Sequence, residues 1–145
     1  MSEDVENLRS ALAELENAKS RVQRELDRRL ELEKADLLDS LLPVLDNLER
    51  SIAAGAGQPG PLLDGVRLVH SQFLDKLTKF GLRRHSAVGK PFDPQWMDAM
   101  AVVPVNEPVK DGMVVAESEP AYFHGERVIR PAKVQVGRAA FRPPS

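Results

Sequence analysis

The sequence predicts an α+β protein. A long N-terminal coiled-coil helix leads into a helical hairpin that forms a dimeric four-helix bundle, and a small C-terminal antiparallel β module follows. Three observations predict this. Residues 1–54 contain no glycine and a single proline, Pro43, whereas the other ten prolines and all nine glycines fall in residues 55–145. Apolar residues recur at heptad spacing in the first part, and short β-branched runs fill the last. Charge divides the same way: residues 1–54 hold 8 basic and 13 acidic side chains, residues 55–85 hold 5 and 2, and residues 86–145 hold 7 and 7.

The first element is a long dimerising helix over residues 1–40. Val5, Leu8, Leu12, Leu15, Val22 and Leu26 follow steps of 3, 4, 3, 7 and 4, the a/d rhythm of a coiled-coil seam. Lys19 fills the position missing between Leu15 and Val22, and Arg29 and Glu33 fall near the next two. So narrow a stripe cannot be buried by its own helix, and isolated helices are marginal in water. A second chain is therefore expected along Leu8, Leu12, Leu15, Val22 and Leu26.

The bundle helices come next, over residues 41–82 with a loop at 55–61. From Leu37 the stripe widens to include Leu41, Leu42, Leu45, Leu48 and Ile52, a face suited to a bundle. Leu41, Leu45 and Leu48 are assigned to dimerisation within it. Pro43 lacks a backbone donor and crowds the carbonyl four residues back, so a kink or break is expected between Leu38 and Pro43. The string GAGQPGP reads as a loop, and Pro61 suits the first position of a second helix. Leu62, Val66, Val69, Phe73, Leu77 and Phe80 continue that helix at steps of 4, 3, 4, 4 and 3. Gly81 is placed for a left-handed cap, with Leu82 touching Leu77 across it.

The β module is expected over residues 83–137, with a frayed tail at 138–145. Its strands are read from Ala101-Val102-Val103, Met113-Val114-Val115, Arg127-Val128-Ile129 and Val134-Gln135-Val136, punctuated by prolines and glycines.

Composition narrows the function. The net charge is -2, so no general basic field exists for nucleic acid or an anionic membrane. The absence of cysteine removes thiol catalysis, disulfides and thiolate metal sites. No stretch reaches the roughly 18–20 apolar residues of a membrane span. The acidic start, MSEDVENLRS, lacks the apolar core of a secretory signal. A soluble, cytoplasmic protein is expected.

No catalytic constellation assembles. His70, His85 and His124 are scattered, and no metal site or cofactor is expected. Gly89-Lys90 is similar to the end of a phosphate-binding loop, but Pro91 stands where Ser or Thr is needed. Arg21, Arg24, Arg28 and Arg29 are interleaved with Glu25, Asp27 and Glu31, too neutralised for a DNA-reading basic region.

Several strings carry a specific resemblance. AELENAKSR lies on the long helix, LLPVLDNLER at the expected kink, Phe80-Gly81 at the end of the second helix, PFDP at the start of the β module and RVIRPAKVQV at its close. In this order and spacing, over about residues 10–137, the chain resembles the GrpE family, nucleotide exchange factors of DnaK-type heat-shock chaperones. The resemblance implies a homodimer with paired long helices, a short four-helix bundle and two small β modules. It also implies that one module holds apart the lobes of the chaperone's nucleotide-binding domain and so releases ADP.

Residue by residue, the resemblance points to Arg127 as a charged contact and to Val136 and Ile129 as apolar contacts. Strand core is the other reading for Val128, Val134 and Val136, and a fold-internal ion pair is the other reading for Arg130. On the long helix it points to Asn17, Lys19, Arg21 and Arg28, which read equally as a solvated face. The chain departs from the family after PFDP, where Met97 takes the place of a histidine, at Ala121-Tyr122, where Gly-Tyr is usual, and at Ser20, a position often basic. Trp96 is expected to cover the open side of the module. The rival reading is a coiled-coil dimeric adaptor whose β module grips some other protein. An enzyme would need a pocket with convergent polar groups, which is not expected.

Overall fold

A computed structural model describes residues 1–139. The chain forms two compact units, Met1–Asp36 and the chain from Leu37 onward. Its elements are two helices, α1 (Ser2–Gly55) and α2 (Pro61–Lys79), and six strands: β1 (Leu82–His85), β2 (Met97–Val105), β3 (Val114–Glu119), β4 (Ala121–His124), β5 (Arg127–Arg130) and β6 (Ala132–Ala139).

The first unit is the front of α1. Along it Val5, Leu8, Leu12, Leu15, Val22, Leu26 and Leu30 are all 48–71% exposed. The heptad stripe is there, and no described residue of this chain covers it.

In the second unit α1 runs on through Pro43, so of the expected kink or break the break does not occur. Proline costs the helix one hydrogen bond, but its neighbours are anchored: Leu42 and Leu45 are 1% and 0% exposed. Leu38, Leu42 and Leu45 pack with Leu77 of α2, Leu82 of β1 and Tyr122 of β4. Burial of that many aliphatic side chains, at about 1.5–3 kcal/mol each, outweighs the local penalty. Leu45, expected in a dimer interface, is instead enclosed by its own chain. Pro61 opens α2 at its first turn, and Gly81 closes the helical region with φ of 102°. Its left-handed conformation puts Leu82 into the same apolar cluster as Leu77, as the cap geometry requires.

The strands form two three-stranded sheets, in the orders β1-β4-β5 and β2-β6-β3. The module is mostly antiparallel, but β2 runs parallel to β6, which the sequence did not suggest. β1 and β4 were also missed. β6 extends to Ala139, so Arg138 and Ala139 are strand, and the rest of the expected frayed tail, 140–145, lies outside the described residues.

Sheet β1-β4-β5 is the middle layer, and the period of two along β4 explains how. Tyr122 joins the helical core, while its neighbours Ala121 and Phe123 join a second core made by Ala87, Met97, Val114, Ala132 and Val134. Trp96 packs on that second core, its ring 5.8 Å from Phe123. Met97 is 1% exposed. Its sulfur accepts the Asp93 backbone N–H at 3.3 Å, so an apolar side chain with a weak acceptor fills the site.

Candidate functional site

The tip of the middle sheet is set by turn chemistry. Only Gly125 and Glu126 separate β4 from β5, and Gly125 has φ of 61°. A positive φ at the first central residue alone is the mark of a type II′ hairpin turn. Arg127 is therefore the first residue of β5, in register with His124, and it is exposed.

Further along β5 the ladder is irregular. Val128 pairs with Phe123 and Arg130 with Tyr122, leaving Ile129 as an extra residue. This bulge interrupts the alternation, so that adjacent side chains both reach the helical layer. Ile129 packs against the Leu42, Leu45 and Tyr122 cluster, so much of its surface is used within the chain. Arg130 grips Asp46 of α1 with two hydrogen bonds, its Nη1 donating at 2.6 Å and its Nη2 at 3.0 Å. The fold-internal ion pair is the reading that holds for Arg130, and it joins the LLPVLDNLER and RVIRPAKVQV strings.

A second pair lies one turn along α1. Arg84 of β1 donates to Glu49 at 2.8 Å, and His70 of α2 lies 3.2 Å from the same carboxylate oxygen. Both guanidinium groups lie over the Tyr122 ring, Arg130 at 5.0 Å and Arg84 at 5.6 Å from its centroid. The hydrogen bond from Arg130 holds the Asp46 carboxyl below the usual carboxylate range, against the opposing effect of burial. The same bond raises Arg130, and burial pushes the Tyr122 hydroxyl up. That hydroxyl has no hydrogen-bond partner among the described residues.

Val136 lies on the central strand β6, in register with Val102 and Val114. It is half-buried against the second core. Arg127 and Val136 thus sit on different sheets, and Val136 serves partly as strand core.

Asn17, Lys19, Arg21 and Arg28 are all exposed on α1. At roughly 100° per residue, Asn17, Arg21 and Arg28 fall within about 40° of one another. Arg24 falls on the same strip, which makes it a further candidate. Lys19 is on the other side, in line with Leu15, Val22 and Leu26, so it belongs to the seam face.

Open cavities lie along the helices. One of about 530 Å³ is lined by Val69, Gln72, Phe73, Asp75 and Lys76. Another of about 270 Å³ is lined by Ser51, Gly55, Gln58, Leu62, Leu63 and Val66. Leu62 and Val69, at their rims, are 83% and 51% exposed. Both linings suit the packing of another helix better than the capture of a polar small molecule. Among the described residues no group of three or more His, Asp or Glu side chains is placed to hold a metal ion. No described helix is long and apolar enough to cross a membrane.

Known proteins resemble this chain in sequence. A model of the GrpE family matches residues 2–138. Protein GrpE of Vibrio vulnificus is 36% identical over 143 residues, covering 95% of this chain and 71% of that relative. Protein GrpE of Carboxydothermus hydrogenoformans is 36% identical over 126 residues, 87% of this chain and 64% of the relative. Protein GrpE 2 of Streptomyces avermitilis is 38% identical over 128 residues, 88% of this chain and 63% of the relative. The chain thus spans about two thirds of the length of these relatives. With the family match running from the front of α1 into β6, the chain belongs to the GrpE family.

Proposed function

We propose that this chain is a homodimeric nucleotide exchange factor for a DnaK-type chaperone. Its β module engages the chaperone's nucleotide-binding domain and favours an arrangement from which ADP escapes. The observation that carries the reading is the family match across residues 2–138, which takes in both helices and nearly the whole β module. Two features support it. The exposed stripe from Leu8 to Leu26 needs a covering helix, which a second copy supplies, and Arg127 stands exposed at a tight hairpin tip.

The mechanism is differential affinity. A factor that binds the open lobe arrangement better than the closed one shifts the chaperone toward open, and ADP loses contacts there. Linkage makes the effect reciprocal, so nucleotide weakens the factor's own binding. The chain makes and breaks no covalent bond in this scheme. Arg127 supplies a charged contact and Val136 an apolar one, while Asn17, Arg21, Arg24 and Arg28 offer a polar strip on the long helix.

The test is release of fluorescent ADP from a DnaK-type chaperone, with and without the protein. Acceleration is expected, and an unchanged rate refutes exchange activity, leaving the adaptor reading. Arg127→Ala should weaken chaperone binding without altering the dimer. Truncating a desolvated interface charge costs about 2–5 kcal/mol, which corresponds to roughly 30-fold or more in affinity. Unaltered affinity would remove Arg127 from the contact.

A further inference from the structure

The contacts between the helical layer and the β module are of two kinds. Leu42, Leu45, Leu77, Leu82 and Tyr122 supply apolar packing, which is non-directional and allows one layer to slide on the other. Two ion pairs cross the same junction. Asp46 and Glu49 stand three residues apart on α1. Arg130 of β5 takes the first through both of its terminal nitrogens, and Arg84 of β1 takes the second. Both arginines lie over the Tyr122 ring between them in the sheet order.

The junction extends into the other sheet. Glu119 of β3 lies 4.0 Å from Arg130 and 3.5 Å from Lys133 of β6. Ion pairs that stay partly open to solvent, as these do, add little to net stability. A guanidinium bonded twice to a carboxylate nevertheless fixes angle as well as distance. Asp46→Asn should therefore leave the fold standing while loosening its geometry.

We propose that Arg84 and Arg130 are positioning residues: by clasping Glu49 and Asp46 across Tyr122, they hold the β module at one angle on the helical layer. The consequence for activity rests on the exchange-factor reading. A module that keeps a partner's lobes apart must not yield at its own seat. Arg127 stands three residues before Arg130 on the same strand, so a load on Arg127 passes along β5 to Asp46. A loose seat lets the module follow the closed arrangement as readily as the open one, and the differential affinity disappears.

The chain has no cysteine, so spin labels can be placed at Arg67→Cys on α2 and Val102→Cys on β2, both exposed in the structure. Labelled chains are diluted with unlabelled ones so that distances within one chain dominate. In the Asp46→Asn, Glu49→Gln double variant the distance distribution should broaden about twofold with helix content unchanged. An unchanged width overturns the clasp. In the exchange assay the same variant should lose about fivefold or more of the saturating acceleration, with half-saturation moved by less than about threefold. A broadened distribution with full acceleration overturns the role in activity.

Arg130→Lys keeps the charge and loses the fork. It should behave like the double variant, and full rescue by lysine refutes positioning in favour of charge alone. If the double variant fails to fold, Arg130→Lys decides by itself. If the wild-type protein does not accelerate ADP release, the exchange-factor reading falls, and the label distances still judge the clasp.

Discussion

Gly137 tests the packing of the β module most directly. It is buried on the central strand β6, and its φ is not in the left-handed region. The reason for glycine is close approach. A Cβ built there would lie 2.5 Å from the Lys110 carbonyl oxygen and 3.1 Å from Cγ1 of both Val105 and Val115. The valines can turn, but the carbonyl is held, because it accepts the Met113 N–H at 3.1 Å. The strand cannot retreat either, since the Gly137 N–H donates to Met113 at 2.8 Å and its carbonyl accepts from Gly112 at 2.9 Å. Relief of somewhat under about 1 Å is needed to restore ordinary contact. Overpacking of this kind costs about 1–3 kcal/mol, and disturbing one hydrogen bond adds about 1 kcal/mol. The reduced freedom of the unfolded chain returns about 0.4–1 kcal/mol. Gly137→Ala should therefore destabilise the module by about 1–3 kcal/mol. Trp96, packed on the core of the β module, reports its unfolding by fluorescence in a urea titration. With a slope of about 1–3 kcal/mol per molar, the midpoint should fall by about 1 M. A midpoint unmoved within about 0.2 M refutes the close-approach argument.

Three further outcomes follow from the same structure. Tyr122→Phe removes a buried hydroxyl that has no partner among the described residues and keeps the ring beneath Arg84 and Arg130; thermal stability should hold or rise by about 1 kcal/mol, and a fall of that size would contradict it. The Asp46 carboxyl is held below its ordinary value, so its contribution is complete above the unfolded value of about 3.9 and is lost as pH falls through the lower folded value. Between about pH 5 and pH 3 the unfolding free energy of the wild type from urea titration should drop by more than that of Asp46→Asn, by up to about 1 kcal/mol, and parallel curves would refute the pair's role. Leu45→Ala should cost about 2–5 kcal/mol at any protein concentration, because Leu45 is 0% exposed within its own chain. Leu12→Ala, at a position 58% exposed, should act only through a concentration-dependent transition, and dilution series by circular dichroism separate the two.

Local rules made much of this legible. The heptad stripe, the Pro61 start, the Gly81 cap and the β-branched cores of β2, β3, β5 and β6 each follow from a few neighbouring residues. What stayed hidden depends on distant ones. The string LRRH reads as a polar segment after a helix, yet Leu82 and Arg84 alternate with Arg83 and His85 so that β1 serves two layers. Leu82 packs with the helices, and His85 meets Phe123 edge-on at 5.1 Å. The parallel pairing of β2 with β6 needs a crossover that no local pattern encodes. The bulge at Ile129 breaks the period by which one face of β5 would be assigned. Arg130 stood out as a possible ion-pair partner, but its carboxylate lies 84 residues away. Pro43 does not end the helix, because the packing of Leu42 and Leu45 outweighs its lost hydrogen bond.

The front of α1 has a different source of order from the rest, and heating should expose it. From Leu37 onward two apolar cores hold the chain together. Along Met1–Asp36 the stripe is uncovered within one chain, and Lys19, Arg29 and Glu33 occupy seam positions where leucine would be the stabilising choice. Each forgoes a burial of roughly 1.5–3 kcal/mol. On the homodimer proposed above, helix in this stretch should depend on a second copy and on its concentration, whereas the β module should not. Circular dichroism at 222 nm should show an early, concentration-dependent loss of helix while Trp96 fluorescence still reports an intact core. A single transition seen by both probes, at the same temperature over a 100-fold range of concentration (about the range in which mass action shifts a dimer visibly), would refute this division.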